Sequence, residues 1–177
     1  RHEKLHRGRA RIRAGIRATL YAGAFIFIFM ILYYHMAGLV ADIALIFNLL
    51  FLIALMAYFG FTLTLPGLAG IVLTIAISVD DNVLIFERIR EELAEGKPVR
   101  IALEHGYDRA WTAIWDSMVA TAISAIFLFQ FGSGPIKGFA VTLLLGMGIG
   151  RFTAISLTRL IFQSYLQNRD VNSLSIG

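Results

Sequence analysis

A long uncharged segment limits what this chain can fold into. Residues 43–79 carry no charge at all, whereas a helix needs only about 20 apolar residues to cross the hydrocarbon core of a bilayer. The segment is therefore too long for one crossing. It breaks most naturally at residues 60–66, because Pro66 suits the first turn of a helix and not its interior. The sequence predicts one membrane span on each side of that turn.

The overall composition also indicates a membrane protein. Of the 177 residues, 58% are hydrophobic and 16% are charged, whereas soluble domains contain about 25% charged residues and are less than half apolar. The chain has no cysteine, which excludes disulfides, thiolate metal sites and cysteine catalysis. Basic residues are concentrated at the start, where the neighbouring hydrophobic span favours contact with anionic lipid headgroups over contact with nucleic acid.

The apolar segments together predict five crossings. The expected fold is an all-α polytopic transmembrane bundle of five spans with one or two short cytoplasmic amphipathic helices in a polar loop. The predicted parts are a basic N-terminal segment 1–15, a transmembrane domain 16–163 with spans at 16–34, 38–59, 66–86, 110–131 and 138–162 around a polar loop 87–109, and a tail 164–177. The row Gly146-x-Gly148-x-Gly150 in the last span is typical of closely packed helices.

The polar loop has two interpretations. In the first, residues 87–109 form interfacial helices that join spans three and four, with Arg88 and Glu92 paired at the i,i+4 spacing. In the second, they form a docking surface for a soluble partner. Five crossings place the two termini on opposite faces of the membrane, but both faces carry many basic residues, so the positive-inside rule leaves the orientation undecided.

Two adjacent carboxylates, Asp80 and Asp81, follow the uncharged segment, and the apolar residues 83–86 come soon after them. A charge at the centre of a membrane helix costs about 2.5–3.5 kcal/mol on insertion scales, and such residues often mark ion or proton pathways. The alternative is that the span ends near Val79 and leaves both carboxylates at the interface. Adjacent helical residues point about 100° apart, so the two carboxylates cannot both face one cavity.

Several blocks of this sequence resemble the SecD branch of the SecD/SecF family, which is related to the resistance-nodulation-division transporters. The blocks are residues 65–75, 79–93, 106–110 and 134–143, and the resemblance runs from about residue 16 to residue 162. SecD-like proteins have six spans and a large extracytoplasmic domain after the first, so this chain resembles spans two to six. The resemblance implies a multi-pass protein of the inner (plasma) membrane with its N-terminus extracytoplasmic and its C-terminus cytoplasmic.

The resemblance also implies a function. It is that of a non-enzymatic accessory of the Sec translocon, which couples the proton-motive force to preprotein export. The implied partners are SecF, the SecY channel with the SecA motor, unfolded preprotein and the lipid bilayer, with no nucleic acid. No cofactor is implied beyond the coupling ion, which is the proton, with sodium as the alternative.

Three other functions are weighed against this one. The first two are a proton-coupled transporter of small molecules or lipids from the same superfamily, and a structural membrane subunit. A membrane-embedded enzyme is least expected, because the sequence has no Ser/His pair and no His-Glu-x-x-His motif.

The predicted proton relay comes from matching this chain to the family motifs. The aspartate of the family's Val-Asp-Ala-Asn motif corresponds to Asp80, which is the expected proton carrier. The other members of the predicted relay are Asp81, Asn82, Asp116, Thr121 and Arg151.

Two charged residues depart from the family pattern. Asp81 stands where alanine is usual, and Arg151 stands near the middle of the last span, where an apolar residue is usual. One additional acid and one additional base predict a compensating ion pair, with Asp80 and Asp116 as rival partners of the arginine. A further acid, Asp42, is interpreted as a helix-start residue, with a proton site as the other interpretation.

Overall fold

The computed structural model describes residues 2–61, 64–167 and 176, with the backbone alone for residues 2–9, 11 and 167. All elements of this part of the chain are helical, which confirms the predicted all-α class. They are α1 (His2–Tyr58), α2 (Leu65–Ala94), α3 (Val99–Phe131), α4 (Gly134–Arg151), a π-helical turn (Phe152–Leu157) and α5 (Thr158–Gln167). Residues 2–15 of the predicted N-terminal segment belong to α1. The lipid contacts predicted for its first basic side chains, and most of the predicted tail, lie outside the described residues.

The prediction of five separate membrane-crossing helices is wrong. Four helices of the described part are long and apolar enough to cross a bilayer, because the predicted spans 16–34 and 38–59 both belong to α1. The expected turn between these spans does not form a separate loop. It is reduced to His35, whose backbone is not helical (φ 49°, ψ −115°).

Helix α1 folds back on itself at this interruption. A Cβ atom added to Gly38 would lie 2.0 Å from the carbonyl oxygen of Met30, although eight residues of straight helix rise about 12 Å. The far ends of the two arms also meet. A Cβ on Gly15 would lie 3.3 Å from Leu68, and Met56 belongs to the same apolar cluster as Leu68. The two arms of α1 are therefore antiparallel, and Gly38 permits their close approach.

Polar contacts join the reversal of α1 near His35 to α2. The Tyr34 hydroxyl donates a hydrogen bond to Glu87 Oε1 at 3.1 Å, and Arg90 Nη1 lies 3.4 Å from the same oxygen. The ring of Tyr34 also packs against Phe86, with 5.5 Å between the ring centroids. The reversal in α1 consequently lies beside the polar end of α2.

The predicted short helices of the polar loop are not separate elements in the described chain. Residues 87–94 continue α2 and residues 99–109 begin α3, because neither junction with the apolar segments contains a glycine or proline. Only the linker between the two helices breaks them, with Gly96 at φ 81°. At about 1.5 Å per residue, α2 and α3 are about 45 Å and 50 Å long, which exceeds a hydrocarbon core of about 30 Å.

Helices α2 and α4 run parallel along a seam of small residues. A Cβ on Gly70 would lie 3.1 Å from Thr142, and one on Gly146 would lie 2.4 Å from Thr74. In both contacts, the residue of α4 follows the residue of α2 by the same number of positions, as parallel helices require. The close packing predicted for the glycine row of the last span is confirmed.

Two apolar clusters fill the bundle, one near the His35 end and one near the opposite end. On each of three helices, buried polar residues lie between members of the two clusters. In α1, for example, Ala41 belongs to the first cluster and Leu45 to the second. We call these intervening residues the polar layer: Asp42, Ser78, Asp81, Asn82, Arg151 and Thr153.

Candidate functional site

The polar layer contains one buried ion pair. Arg151 Nε lies 3.9 Å from Asp81 Oδ2, and both side chains are buried. The other guanidinium nitrogens reach two further groups, because Nη1 donates to the carbonyl oxygen of Met147 and Nη2 donates to Ser117 Oγ, each at 3.4 Å. Arg151 thus connects α2, α3 and α4. Of the three carboxylates considered as its partner, Asp81 is the one at ion-pair distance in the described chain.

This ion pair has no direct hydrogen bond. Asp81 Oδ2 and Arg151 Nε both lack a hydrogen-bond partner among the described residues, and hydrogen-bonded N–O pairs are usually 2.7–3.2 Å apart. The pair still keeps the interior neutral. Removing one partner of a buried pair leaves an uncompensated charge, at a cost of about 3–5 kcal/mol.

A short hydrogen-bond chain extends the polar layer across the bundle. Asn48 Nδ2 of α1 donates to Ser78 Oγ of α2 at 2.6 Å. Asn82 Nδ2 donates to the carbonyl oxygen of Ser78 at 3.0 Å. A Cβ on Gly150 of α4 would lie 2.4 Å from Ser78 Oγ and 3.1 Å from the amide nitrogen of Asn48. Ser78 therefore lies where α1, α2 and α4 meet.

The other predicted relay residues lie outside this interior. Asp80 is exposed although its neighbour Asp81 is buried, as the rotation of about 100° per helical residue requires. Asp116 on α3 is also exposed. Thr121 is half-buried, and its hydroxyl donates to the carbonyl oxygen of Ser117 in its own helix at 2.9 Å.

The acids and amides of the relay are consequently divided between two places. The structure brings Asp81, Asn82 and Arg151 together, and it leaves Asp80 and Asp116 on the surface of this chain. Their roles in proton movement remain predictions. No group of three or more His, Asp or Glu side chains that could hold a metal ion occurs among the described residues.

A second charged cluster was missed by the sequence reasoning. The Glu92 side chain is completely buried at the linker between α2 and α3. Its Oε1 lies 2.7 Å from Arg109 Nη1, and its Oε2 lies 2.5 Å from Lys97 Nζ and 3.2 Å from His105 Nδ1. We call these four residues the linker cluster. The pKa of Lys97 is raised above its ordinary value, mainly because its ammonium donates to Glu92 and also to Glu95.

The signal for the linker cluster was present in the sequence. Glu92 follows Ile85 and Ile89 at helical spacing, which places it on the buried face of α2. The predicted pair between Arg88 and Glu92 is wrong, because Arg88 Nη1 instead lies 2.7 Å from Glu91 Oε2 at the exposed surface. A buried glutamate near the end of a helix requires compensating cations, and the basic residues of the linker and of α3 supply them.

Helix α3 has the least buried apolar window of the four long helical segments in the described chain. Only 11% of its most apolar window is buried, against 44–56% in the other three long helices. Trp111 stacks on Trp115, and Phe127 stacks on Phe131, with ring centroids 5.8 Å and 5.9 Å apart. In a bilayer, such a surface meets lipid or another helix.

Fold and site together define an all-α membrane protein with ionisable residues in the interior of its helix bundle. A family model described as "Protein export membrane protein SecD/SecF, C-terminal" matches residues 6–168. The chain belongs to the SecD/SecF family.

Individual relatives agree with this assignment. The chain is 54% identical over 165 residues to the protein translocase subunit SecD of Syntrophobacter fumaroxidans, covering 93% of this chain and 31% of that protein. It is 52% identical over 169 residues to SecD of Desulfurispirillum indicum, covering 96% and 33%. The crystal structure of SecDF, a translocon-associated membrane protein from Thermus thermophilus, matches with a TM-score of 0.86 and 38% identity, covering 91% and 22%. The chain thus spans about a third of the length of these SecD relatives.

Proposed function

We propose that this chain is the membrane portion of an accessory subunit of the Sec translocon, and that it couples the proton-motive force to preprotein export. The observation that carries the proposal is the buried Asp81–Arg151 pair inside a bundle that is 54% identical to a protein translocase subunit. Ionisable groups at membrane depth are costly and usually serve ion movement. The proposed partners are SecF, the SecY channel with SecA, and unfolded preprotein, and the proposed location is the inner membrane.

Helix α1 is proposed to cross the membrane twice. Its apolar part, Ile12–Tyr58, has 47 residues, which at about 1.5 Å per residue is more than twice the thickness of the hydrocarbon core. The close approach of Gly38 to Met30 supports two antiparallel arms within one bilayer. In the proposed orientation, the N-terminus is extracytoplasmic, and the reversal at His35 and the linker between α2 and α3 lie on the cytoplasmic side.

Asp80 is proposed as the proton carrier. The pair of Asp81 and Arg151 is proposed to keep its charges while Asp80 gains and loses a proton. Asp80 lies about midway along α2 and is exposed in this chain, as is Asp116 on α3. A partner subunit that covers this surface would place both carboxylates inside the complex. The buried pair cancels its own charge, so that Asp80 can gain and lose its proton without a permanent cation at contact distance.

The proposal is tested by a protein-export assay in membranes with an imposed proton gradient. The full-length SecD–SecF pair that carries this segment is compared with its Asp80→Asn variant and with Asp108→Asn as a control. Asp108 is also an exposed acid of the described chain, but it lies in the polar end of α3. The expected result is that Asp80→Asn loses the gradient-dependent part of export and Asp108→Asn keeps it.

Two outcomes would contradict parts of this proposal. Unchanged gradient-dependent export in Asp80→Asn would remove the proton role from that carboxylate. Export that follows an imposed sodium gradient instead of the proton gradient would replace the proton as the coupling ion.

A further inference from the structure

Asp42 is a buried acid that the proposed relay does not use. It lies inside α1, seven residues after His35, so the interpretation as a helix-start residue is wrong. Its side chain belongs to the polar layer and is 3% exposed. Neither of its carboxylate oxygens has a hydrogen-bond partner in the described part of the protein. Such a side chain requires an explanation, because buried polar atoms are nearly always satisfied.

No described cation is placed to balance an ionised Asp42. Arg151 is the one buried basic side chain in the described chain, and its ion-pair partner is Asp81. Charged groups nearest in level on the elements packed against α1 are Asp80, Asp81, Glu87, Arg88 and Arg90 on α2, Arg151 on α4 and Arg159 on α5.

Each of these other groups is either exposed or already in contact with another residue. Asp80 is exposed, and Glu87 accepts from Tyr34 and Arg90. Arg88 is paired with Glu91, and the Arg159 guanidinium lies over the ring of Tyr107. An unpaired ionised carboxylate in such an interior is strongly disfavoured, and a proton is the smallest group that removes its charge.

The segment that lies level with Asp42 after α4 has an irregular backbone. Asn48 and Ser78 mark a level shared by α1, α2 and Gly150 of α4. Asp42 lies six residues before Asn48 in the second arm of α1. Helix α4 runs in the opposite direction to this arm, so the residues level with Asp42 lie after Gly150, in the π-helical turn at Phe152–Leu157. Single π-helical turns within α-helices occur frequently at functional sites.

We propose that Asp42 is a second proton-binding carboxyl of this bundle, which carries a proton at neutral pH and is separate from the surface carboxylate Asp80. The inference deepens the proposed proton coupling, but it concerns the protonation of one side chain and can be tested without any export measurement. A protonated Asp42 carries no charge and requires no cation, which accounts for its burial between two apolar clusters.

The test is infrared spectroscopy of the purified full-length protein in lipid bilayers near neutral pH. The carboxylic-acid C=O stretching band is compared in the unchanged protein, in Asp42→Asn and in Asp42→Glu. The expected result is that Asp42→Asn loses the intensity of one protonated carboxyl, whereas Asp42→Glu retains this intensity at a shifted frequency. Asp108→Asn serves as the control and is expected to leave the band unchanged, since Asp108 is exposed and lies outside the polar layer.

Two results would overturn the inference. One is a protonated-carboxyl band that is identical in the unchanged protein and in both Asp42 variants, which would mean that Asp42 is ionised. The other is loss of the Asp42 band on adding sodium at constant pH, which would assign the site to a metal cation. The Asp42→Glu variant keeps the test decisive if Asp42→Asn fails to fold. A protonated Asp42 in a protein whose export ignores the proton gradient would leave this inference standing and would refute the proposed function.

Discussion

Helix α3 and the segment Gly134–Leu166, which joins α4, the π-helical turn and α5, have equal mean hydropathy in their most apolar windows, yet 56% of the second window is buried and only 11% of the first. Hydrophobicity therefore does not decide which membrane helix becomes the interior one. The difference lies in side-chain size. Helix α4 meets α2 through glycines, such as Gly146 against Thr74, and close backbone approach is a main source of helix association in lipid. Helix α3 instead carries large exposed rings, such as Trp115 and Phe127.

The α2–α4 seam and helix α3 also differ in how far their charged residues are buried. At the α2–α4 seam, Asp81 and Arg151 are buried and lie 3.9 Å apart. Helix α3 is attached mainly at its polar end, where Arg109 reaches the buried Glu92 from a half-exposed position. The seam is thus expected to determine the stability of the bundle, whereas α3 is expected to respond to its surroundings.

The largest effect is expected from Arg151→Met, which would leave Asp81 buried and unpaired. We expect a loss of about 3–5 kcal/mol in the free energy of unfolding, measured by denaturant titration in lipid bicelles. The double variant Asp81→Ala with Arg151→Met removes both charges and is expected to recover most of this loss. A double variant that is less stable than the single one would show that the two residues do not act as a pair.

The seam itself is broken by Gly146→Val, because a Cβ at this position would lie 2.4 Å from Thr74. We expect destabilisation of about 1–3 kcal/mol from overpacking. The matched control is Gly148→Val, since nothing lies within 4 Å of a Cβ at Gly148. Equal unfolding free energies for the two variants would contradict the glycine seam as the source of α4 burial.

A smaller effect is expected on the uncovered helix. Phe127 is 60% exposed, so Phe127→Ala in this chain alone is expected to change the unfolding free energy by less than about 0.5 kcal/mol. Binding to a partner subunit is expected to weaken if the same surface is covered in the complex. Co-purification of the two subunits in mild detergent measures this difference, and a large loss of stability in the isolated chain would show that Phe127 packs internally.

The smallest effect concerns the attachment of α3 at the linker cluster and depends on pH. The pKa of Lys97 is raised in the folded chain, so its contribution to stability is complete below the unfolded value of about 10.4. That contribution is lost as the pH rises through the folded pKa. Lys97→Gln is expected to reduce the fall of the unfolding free energy at alkaline pH. Near neutral pH, the unfolding free energy of the variant is expected to stay independent of pH. An unchanged alkaline slope would assign the titration to another group.

Sequence reasoning predicted the helical class and one central contact. The ion pair between Asp81 and Arg151 followed from two compensating departures in one apolar region, because a buried charge needs an opposite one. The count of crossing helices failed at His35, since the turn predicted between residues 34 and 38 is only a one-residue interruption inside α1. Glu92 was missed because its cations come from the linker and α3. Those cations are brought to it only by the pairing of two helices.

The linker cluster joins the polar ends of α2 and α3, most buried residues of α3 lie toward that end, and its 33 residues rise about 50 Å. The helix therefore has the geometry of a lever arm with its fulcrum at the linker. A tilt of about 5° at that fulcrum would carry the opposite end of a rod of about 50 Å through an arc of about 4 Å. A displacement of less than an ångström among the side chains around Glu92 can in this way become a movement several times larger at the other face of the membrane.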